Sequence, residues 1–233
     1  MDKQDFIKWV RKMGPTYSAS PQVLSDLSQI DLVAIVGPTG VGKTTLMKKL
    51  DIPLVKSDVT RERRSDEKKS DSYVFRTDYL GVMEDFKAGN YVQYVVSETN
   101  EFYGTRIESY PSKGPCTMAI VAAAIPSFKK LNFKSITQIY LMPPGYVEWM
   151  RRIGTMRTKD IRERINEAAG SVKMGILDEN YHFVLNDDLD TAVSDVKKII
   201  ASEEISEHRA ALARETADLL LKRMVGSEDD LYF

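Results

Sequence analysis

The chain has 233 residues, 42% of them hydrophobic, which suits one α/β domain with inserted subdomains or two small domains. Charged residues make up 29% and leave a net charge of −1, which excludes a global basic field for nucleic acid or an anionic membrane. The single cysteine, Cys116, excludes an internal disulfide and a cysteine-based zinc site. We expect a cytoplasmic protein, because the start carries charges of both signs and the longest apolar run, Ala119–Ile125, is too short to span a bilayer.

The first part of the chain predicts a helix, a connector and then a strand–loop–helix unit. Asp5–Met13 has the apolar spacing of a short helix, and the polar segment Gly14–Gln22 indicates a connector. Leu32–Val36 is a continuous apolar run, typical of a strand buried on both faces, and it ends at Gly37. Thr44–Leu50 is predicted to be a helix that begins inside a glycine-rich loop.

The next part predicts a charged loop, a helix and a hairpin. Lys56–Ser72 is dense in charge and indicates a solvated loop or a ligand-facing surface. Asp78–Ala88 has helical spacing, with Asp78 as a candidate N-cap. Tyr91–Val96 and Glu101–Ile107 are β-prone and flank a polar turn, which predicts a hairpin.

The second half of the chain alternates strands with helices. The predicted strands are Thr117–Ala122, Ile136–Leu141 and Tyr181–Leu185, and the predicted helices are Val147–Arg152, Thr158–Ala169, Leu189–Ile200 and Ser206–Met224. This alternation predicts an α/β fold with a mostly parallel sheet and helices on both faces.

The glycine-rich loop matches the phosphate-binding pattern G-x-x-x-x-G-K-[ST]. Its residues are Gly37, Pro38, Thr39, Gly40, Val41, Gly42, Lys43 and Thr44, followed by Thr45. The glycines allow backbone N–H groups to wrap a β-phosphate, and Lys43 places a cation on the β- and γ-phosphates. Thr44 offers a hydroxyl to Mg²⁺. The loop therefore predicts binding of a nucleoside triphosphate with Mg²⁺.

Other segments resemble guanylate kinases. The acceptor-binding region of that family is similar to Val59-Thr60-Arg61-Glu62-Arg63-Arg64, Asp71-Ser72-Tyr73-Val74-Phe75 and Glu101-Phe102-Tyr103-Gly104-Thr105. The helix after the family's lid is similar to Asp160-Ile161-Arg162-Glu163-Arg164-Ile165, and its asparagine-acidic motif near the adenine to Val184-Leu185-Asn186-Asp187-Asp188-Leu189-Asp190. The resemblance extends from around Asp31 to around Ile200.

The resemblance implies a P-loop kinase core whose mostly parallel sheet is flanked by helices, with an inserted mixed α/β acceptor-binding subdomain and a small helical lid. The ranges it implies are an N-terminal extension at 1–30, a core with the C-terminal helix at 31–55, 115–147 and 172–225, an acceptor subdomain at 56–114, a lid at 148–171 and a tail at 226–233.

The resemblance also assigns a clamp for the acceptor's phosphate. Arg61 and Arg64 would fork onto this phosphate, which a lysine does less well. Tyr73 and Tyr103 would each donate a phenolic hydrogen bond to it.

On the donor side, the family uses lid arginines to neutralise the transferred phosphoryl group. Arg164 matches such a position directly. Ile153 occupies the strict position before the lid glycine, with Arg152 or Arg151 beside it, and Arg157 is a further candidate. The predicted catalytic residues are Lys43, Arg152 and Arg164, and Asn186 is the predicted ATP ligand.

The positions that read the acceptor base depart from the family. Ser57 and Thr105 have the size to bond a base edge, but Gln93 stands where the family has a glutamate that accepts two hydrogen bonds from guanine. An amide offers one acceptor and one donor, which better suits adenine, hypoxanthine or a pyrimidine. The family's D-x-D carboxylates, which help hold the base and the Mg²⁺ shell, are replaced by Ala119 and Val121.

Three functions remain open on these grounds. The leading one is a kinase that transfers the γ-phosphate of ATP to a nucleoside monophosphate, either GMP or dGMP or one with another base, without a nucleic-acid or membrane partner. A kinase for a phosphorylated sugar or another non-base acceptor would keep the phosphate clamp and let the base readers change. A binding module without catalysis is favoured by the missing acids and disfavoured by the retained loop and clamp. The oligomeric state stays open.

Overall fold

The computed structural model describes residues 1–63, 72–97, 99–154 and 161–226. Arg64, Arg157 and the tail from 227 onwards lie outside the described residues. The chain divides into two compact units. The first unit consists of Met1–Leu32, Pro53–Met118 and Ser127–Ile136, and the second of Val33–Ile52, Ala119–Pro126 and Thr137–Phe233. The finer boundaries of core, acceptor subdomain and lid stay a prediction.

The strands form two four-stranded sheets. In chain order they are β1 (Ile30–Val36), β2 (Ser57–Val59), β3 (Tyr73–Phe75), β4 (Tyr91–Val96), β5 (Phe102–Arg106), β6 (Gly114–Ala119), β7 (Ser135–Met142) and β8 (Tyr181–Leu185). One sheet is parallel and has the order β6-β1-β7-β8. The other has the order β3-β2-β5-β4, in which β2 and β3 are parallel while β5 is antiparallel to both of its neighbours.

Helices flank these sheets. They are α1 (Lys3–Met13), α2 (Pro21–Leu27), α3 (Lys43–Lys49), α4 (Tyr79–Lys87), α5 (Ile125–Phe128), α6 (Tyr146–Gly154), α7 (Ile161–Leu177), α8 (Leu189–Ile200) and α9 (Glu207–Gly226). None of the helices in the described part of the chain has both the length and the apolarity needed to cross a membrane. The predicted α/β fold is confirmed.

Some local predictions were wrong for identifiable reasons. The segment predicted as a connector contains the start of α2, where Pro21 is the first helical residue and the Ser20 hydroxyl accepts from the Val23 N–H at 3.3 Å. The predicted charged loop contains β2, which at three residues is too short for an alternation pattern to reveal. Asp78 occupies the N-cap of α4 but makes no side-chain cap, because its carboxylate pairs with Arg76 at 2.7 Å.

In the first unit, α1 and α4 close one face of the second sheet. Their apolar residues join those of the strands in one buried cluster of Phe6, Ile7, Val10, Val82, Phe86, Tyr91 and Phe102. Phe6 is fully buried, stacks on Tyr79 with ring centroids 5.2 Å apart and meets Phe102 edge-on at 5.7 Å. The N-terminal segment, which lies outside the family resemblance, is therefore part of this core.

In the second unit, α9 covers part of the parallel sheet. Ala213, Ala217, Leu220 and Met224 recur at helical spacing and are buried. The helix packs on α7 and β8. Beneath it, α7 approaches β7 so closely that a Cβ at Gly175 would lie 2.5 Å from the Tyr140 ring.

The buried cluster of the first unit gives a stability prediction. Phe6→Ala should lower the free energy of unfolding by about 3 kcal/mol, because it removes a fully buried ring and leaves a cavity. Lys8→Ala, on the same helix with 76% of its side chain exposed, should change it by less than about 0.5 kcal/mol. Urea unfolding of both variants measures the difference. Equal effects would show that α1 is not part of the cooperative core.

Candidate nucleotide-binding site

The predicted phosphate-binding loop connects β1 to α3 in the second unit. Gly37, Gly40 and Gly42 have φ angles of 143°, 77° and 102°, in a region of backbone space that favours glycine. A Cβ at Gly42 would also lie 2.5 Å from the side-chain nitrogen of Asn186. Both the backbone angle and this close approach require glycine at position 42.

Lys43 lies against this loop. Its Nζ donates to the carbonyl oxygens of Gly37 at 2.6 Å and Pro38 at 2.9 Å. Burial lowers the pKa of Lys43 to about 8, while the negative charge of Glu167 on α7 acts in the opposite direction. An anion bound beside this ammonium would favour its charged form and raise the pKa again.

Asn186, which follows β8, closes the loop from the other side. Its side-chain amide donates to the carbonyl of Val41 at 2.7 Å, and its backbone N–H donates to the carbonyl of Met142 at 2.7 Å. Only 6% of Asn186 is exposed. The predicted ATP ligand is therefore a buried support of the loop, and its contact with a base stays a prediction.

Two buried residues on one face of α6, Trp149 and Ile153, pack against the glycine-rich loop. The indole of Trp149 is fully buried and donates to the carbonyl of Thr39 at 2.9 Å. Ile153, four residues later on the same face, is buried against Gly40, where a Cβ would lie 2.7 Å from its Cγ2. Ile153, which the sequence analysis aligns with an arginine of the family, thus packs against the loop. The sequence interpretation missed Trp149, although the amphipathic spacing of α6 could have indicated it.

Of the two neighbouring arginine candidates on α6, Arg152 reaches the loop. Its guanidinium donates to the carbonyl of Val41 at 3.4 Å and to that of Asn186 at 3.1 Å. Arg151 is mostly exposed and pairs with Glu148 at 2.7 Å. Both arginines hydrogen-bond Glu148 and lower the pKa of its carboxyl to about 2.

From α7, the half-buried Arg164 places Nη1 3.4 Å from the Thr39 hydroxyl oxygen. Thr44 and Thr45 are exposed at the start of α3. The three residues predicted to be catalytic, Lys43, Arg152 and Arg164, therefore lie around one loop within the second unit.

The predicted acceptor residues that the structure describes share one face of the second sheet. Residues paired across strands lie on the same face, and the pairs are Ser57 with Tyr73, Val59 with Tyr103, and Gln93 with Thr105. Alternate residues along β2 and β5 connect these pairs into one surface. The guanidinium of Arg61 lies over the Tyr73 ring at 5.0 Å.

Gln93 and Thr105 differ in accessibility. Gln93 is half-buried, and its amide has no hydrogen-bond partner among the residues that the structure describes. Thr105 is fully buried, and its hydroxyl oxygen lies 3.0 Å from that of Tyr110, which in turn contacts the sulfur of Met118 at 3.7 Å. In this conformation Gln93 can face a ligand, whereas the Thr105 hydroxyl is engaged within the protein.

The opposite face of this sheet holds a buried ion cluster that the sequence interpretation missed. Asp58 is 1% exposed, and its Oδ2 accepts from Tyr91 at 2.8 Å, Arg76 at 2.8 Å and Arg106 at 2.9 Å. Its Oδ1 is buried and has no partner in the described part of the chain. The positive charges of Arg76 and Arg106 compensate the buried negative charge of Asp58, and these ion pairs hold β2, the strand that carries Ser57, in place.

Ala119 and Val121, which the sequence analysis aligns with carboxylates of the family, are both accessible. Ala119 ends β6 and is exposed, and Val121 is 63% exposed. Over residues 1–63, 72–97, 99–154 and 161–226, no group of three or more His, Cys, Asp or Glu side chains could hold a metal ion. Cys116 is fully buried, and burial raises the pKa of its thiol to about 12, consistent with a packing role.

Comparison with known proteins shows which family the chain resembles. The guanylate kinase family model matches residues 29–203. The guanylate kinase of Oceanobacillus iheyensis is 32% identical over 193 residues, covering 77% of this chain and 91% of that protein. The guanylate kinase of Prochlorococcus marinus is 31% identical over 186 residues, covering 73% of this chain and 97% of that protein.

A solved structure shows the same fold. The crystal structure of guanylate kinase from Anaplasma phagocytophilum superposes with a TM-score of 0.55 at 19% sequence identity, covering 77% of this chain and 88% of that one. The matched range contains the phosphate-binding loop, both sheets and Asn186. With this loop geometry and these matches, the chain belongs to the guanylate kinase family.

Proposed function

We propose that the chain is an ATP-dependent nucleoside monophosphate kinase. The observation that carries this proposal is the glycine loop, which is bent by three left-handed glycines and contacted by Lys43, Arg152 and Arg164. An oxygen of the acceptor phosphate would attack the γ-phosphorus, and the bond to the β–γ bridging oxygen would break to release ADP. The attacking oxygen is already anionic, so positioning and charge neutralisation suffice without a strong general base.

The loop residues fit a bound Mg²⁺–triphosphate. Mg²⁺ prefers oxygen ligands and is commonly held by few protein groups together with substrate phosphates. The exposed Thr44 hydroxyl would be its protein ligand, and the ion would supply neutralising charge at the phosphates. Because Ala119 and Val121 replace the family's carboxylates, we expect a greater share of its ligands to be phosphate oxygens and water.

We further propose that the protein recognises its acceptor base by a different hydrogen-bonding pattern from the one by which the family recognises guanine. The half-buried Gln93 amide, without a described protein partner, supplies one donor and one acceptor. A base edge with the same pattern, as in adenine, hypoxanthine or a pyrimidine, would satisfy both. Guanine would place two donors against this amide and leave one polar group unpaired, which costs about 1–3 kcal/mol.

An acceptor panel tests the proposed reaction. Purified protein with MgATP should release ADP in the presence of at least one ribo- or deoxynucleoside monophosphate, and Lys43→Ala should abolish this release. Turnover with sugar phosphates alone would indicate the non-base kinase instead. Retained ATP binding without turnover on any acceptor would indicate the binding module, and a fully active Lys43→Ala would exclude the loop as donor site.

Gln93→Glu tests the proposed base preference. The carboxylate can accept both guanine protons, so kcat/KM for GMP should rise about tenfold relative to the acceptor preferred by the wild type. Steady-state kinetics with both acceptors gives this ratio. The proposal fails if the wild type already prefers GMP, or if the variant leaves the ratio unchanged. The KM for ATP, whose site lies in the other unit, serves as the internal control.

The lowered pKa of Lys43 predicts proton-linked nucleotide binding. About half of Lys43 is charged at pH 8 in the free protein, and bound phosphates favour the charged form. Affinity for MgATP should therefore be greatest below pH 8 and fall by about tenfold per pH unit above it, until the pKa of the complex is reached. Titration calorimetry at pH 8 in two buffers of different ionisation enthalpy should show proton uptake on binding. Uptake that persists unchanged in Lys43→Met would assign it to another group.

A further inference from the structure

We infer that Arg209 on α9 is a positioning residue of the donor site, because it holds both neighbours of Asn186 in place. This inference rests on the proposed function, since it assigns a role within the triphosphate site. The helix begins at Glu207 and lies beyond the family match, which ends at residue 203. The support therefore comes from a part of the chain outside the family domain.

The Arg209 guanidinium contacts three acceptors around the end of β8. Both of its terminal nitrogens donate to the Asp187 carboxylate, at 3.0 and 3.2 Å. One of them also donates to the backbone carbonyl of Leu185 at 3.2 Å. Because residues 185 and 187 are bound by one rigid planar group, the backbone at residue 186 between them has little freedom.

Asp195 on α8 fixes the guanidinium itself. Its carboxylate is mostly buried and accepts from Nε of Arg209 at 2.8 Å. The Asp195 carboxylate, bound at Nε, thus orients the two terminal nitrogens of Arg209 towards Asp187. Hydrogen bonds between ionised groups are stronger than neutral ones, and the partly buried geometry weakens screening by solvent.

The restraint on Asn186 also affects the glycine-rich loop, because Asn186 contacts this loop directly. Its amide donates to the Val41 carbonyl at 2.7 Å, and its carbonyl accepts from Arg152 at 3.1 Å. A Cβ at Gly42 would lie 2.5 Å from the Asn186 side-chain amide nitrogen, so this approach leaves no room for a side chain at position 42. A displacement of Asn186 would therefore weaken these contacts or push the loop, so a residue that holds Asn186 in place also holds the loop in its conformation.

The alternative is that Arg209 only attaches α9 to the protein. The rest of α9 already provides that attachment through buried apolar residues. Arg214, on the same helix, provides the matched control, since it donates to the Ile176 carbonyl at 3.1 Å and lies 5.3 Å over the Phe183 ring. It contacts α7 and β8 as an anchoring residue would, and none of its contacts with the described part of the chain is with Asn186.

The experiment compares Arg209→Leu, Arg209→Lys, Arg214→Leu and Asp195→Asn in the full chain. MgATP binding is measured by calorimetry without any acceptor, and amide hydrogen exchange is measured at residues 185–188. We expect Arg209→Leu to raise the Kd for MgATP about tenfold or more and to speed exchange of the Asn186 N–H, with Arg209→Lys intermediate. Arg214→Leu should change the Kd by less than about twofold, whatever its effect on the unfolding midpoint.

Asp195→Asn identifies the route of the effect. It should raise the Kd by less than Arg209→Leu does, and adding it to Arg209→Leu should have no further effect, because both changes act through one guanidinium. Equal Kd values for the wild type and Arg209→Leu, or equal effects of Arg209→Leu and Arg214→Leu, would overturn the positioning role. If the wild type fails to bind MgATP, the proposed donor site is wrong as well. The exchange rate at Asn186 reports on the backbone in either case, without depending on nucleotide.

Discussion

The close approach of Asn186 to Gly42 is the contact on which the second unit's site depends. The loop turns through left-handed backbone angles at its glycines, which would direct its N–H groups towards a bound phosphate. Contacts from neighbouring residues hold the loop in this conformation. The Asn186 amide does this through the Val41 carbonyl, and glycine at 42 is the residue that leaves room for it. Trp149 and Ile153 pack against the loop at Thr39 and Gly40. The site is therefore preorganised by buried contacts, as catalysis by positioning requires.

The two extensions outside the family match are integral to the two units. In the first unit, Lys3 on α1 pairs with Glu101, whose carboxylate also accepts from the Thr60 hydroxyl, next to Arg61 of the predicted phosphate clamp. In the second unit, α9 lies on β8 and contacts the end of that strand through Arg209. Each extension buries apolar surface, and each makes a polar contact close to a predicted ligand, Lys3 with the side chain of Glu101 and Arg209 with the backbone carbonyl of Leu185. Their removal should therefore affect function as well as stability.

The sequence predicted those elements whose signal is local. The strand at 181–185 and the helix at 189–200 have their predicted bounds, because a buried run and an amphipathic helix follow directly from apolar spacing. The glycine loop was predictable because its chemistry fixes residue types at fixed positions. The short strands β2 and β3 were not, since three residues carry no period.

The supporting residues were harder to predict than the candidate ligand-binding residues, which belong to motifs. Asp58, Trp149 and Arg209 act through partners distant in the sequence, such as Arg106 for Asp58, and no motif states those pairings. The sequence placed Arg152 and Arg151 side by side and named Arg152 as the catalytic candidate, while the helix orientation shows that Arg152 contacts the loop and Arg151 pairs with Glu148. The residue types of the predicted site could be proposed from motifs, while the contacts that hold the loop in place required the three-dimensional structure.

The two sheet faces of the first unit explain why the base preference can change without loss of the fold. The face towards α1 and α4 carries the apolar cluster and the Asp58 ion cluster, which a substitution would disrupt at a cost of several kcal/mol. Gln93 lies on the opposite face, half-buried, and no described residue depends on its amide. Exchange of glutamate for glutamine there alters one hydrogen-bonding atom and leaves the packing intact. Ala119 and Val121 are likewise exposed, so replacing acids at these positions removes charge without opening a cavity. Substitutions at the positions proposed to contact the acceptor therefore leave the packing intact, while the buried contacts around the glycine loop are structurally constrained.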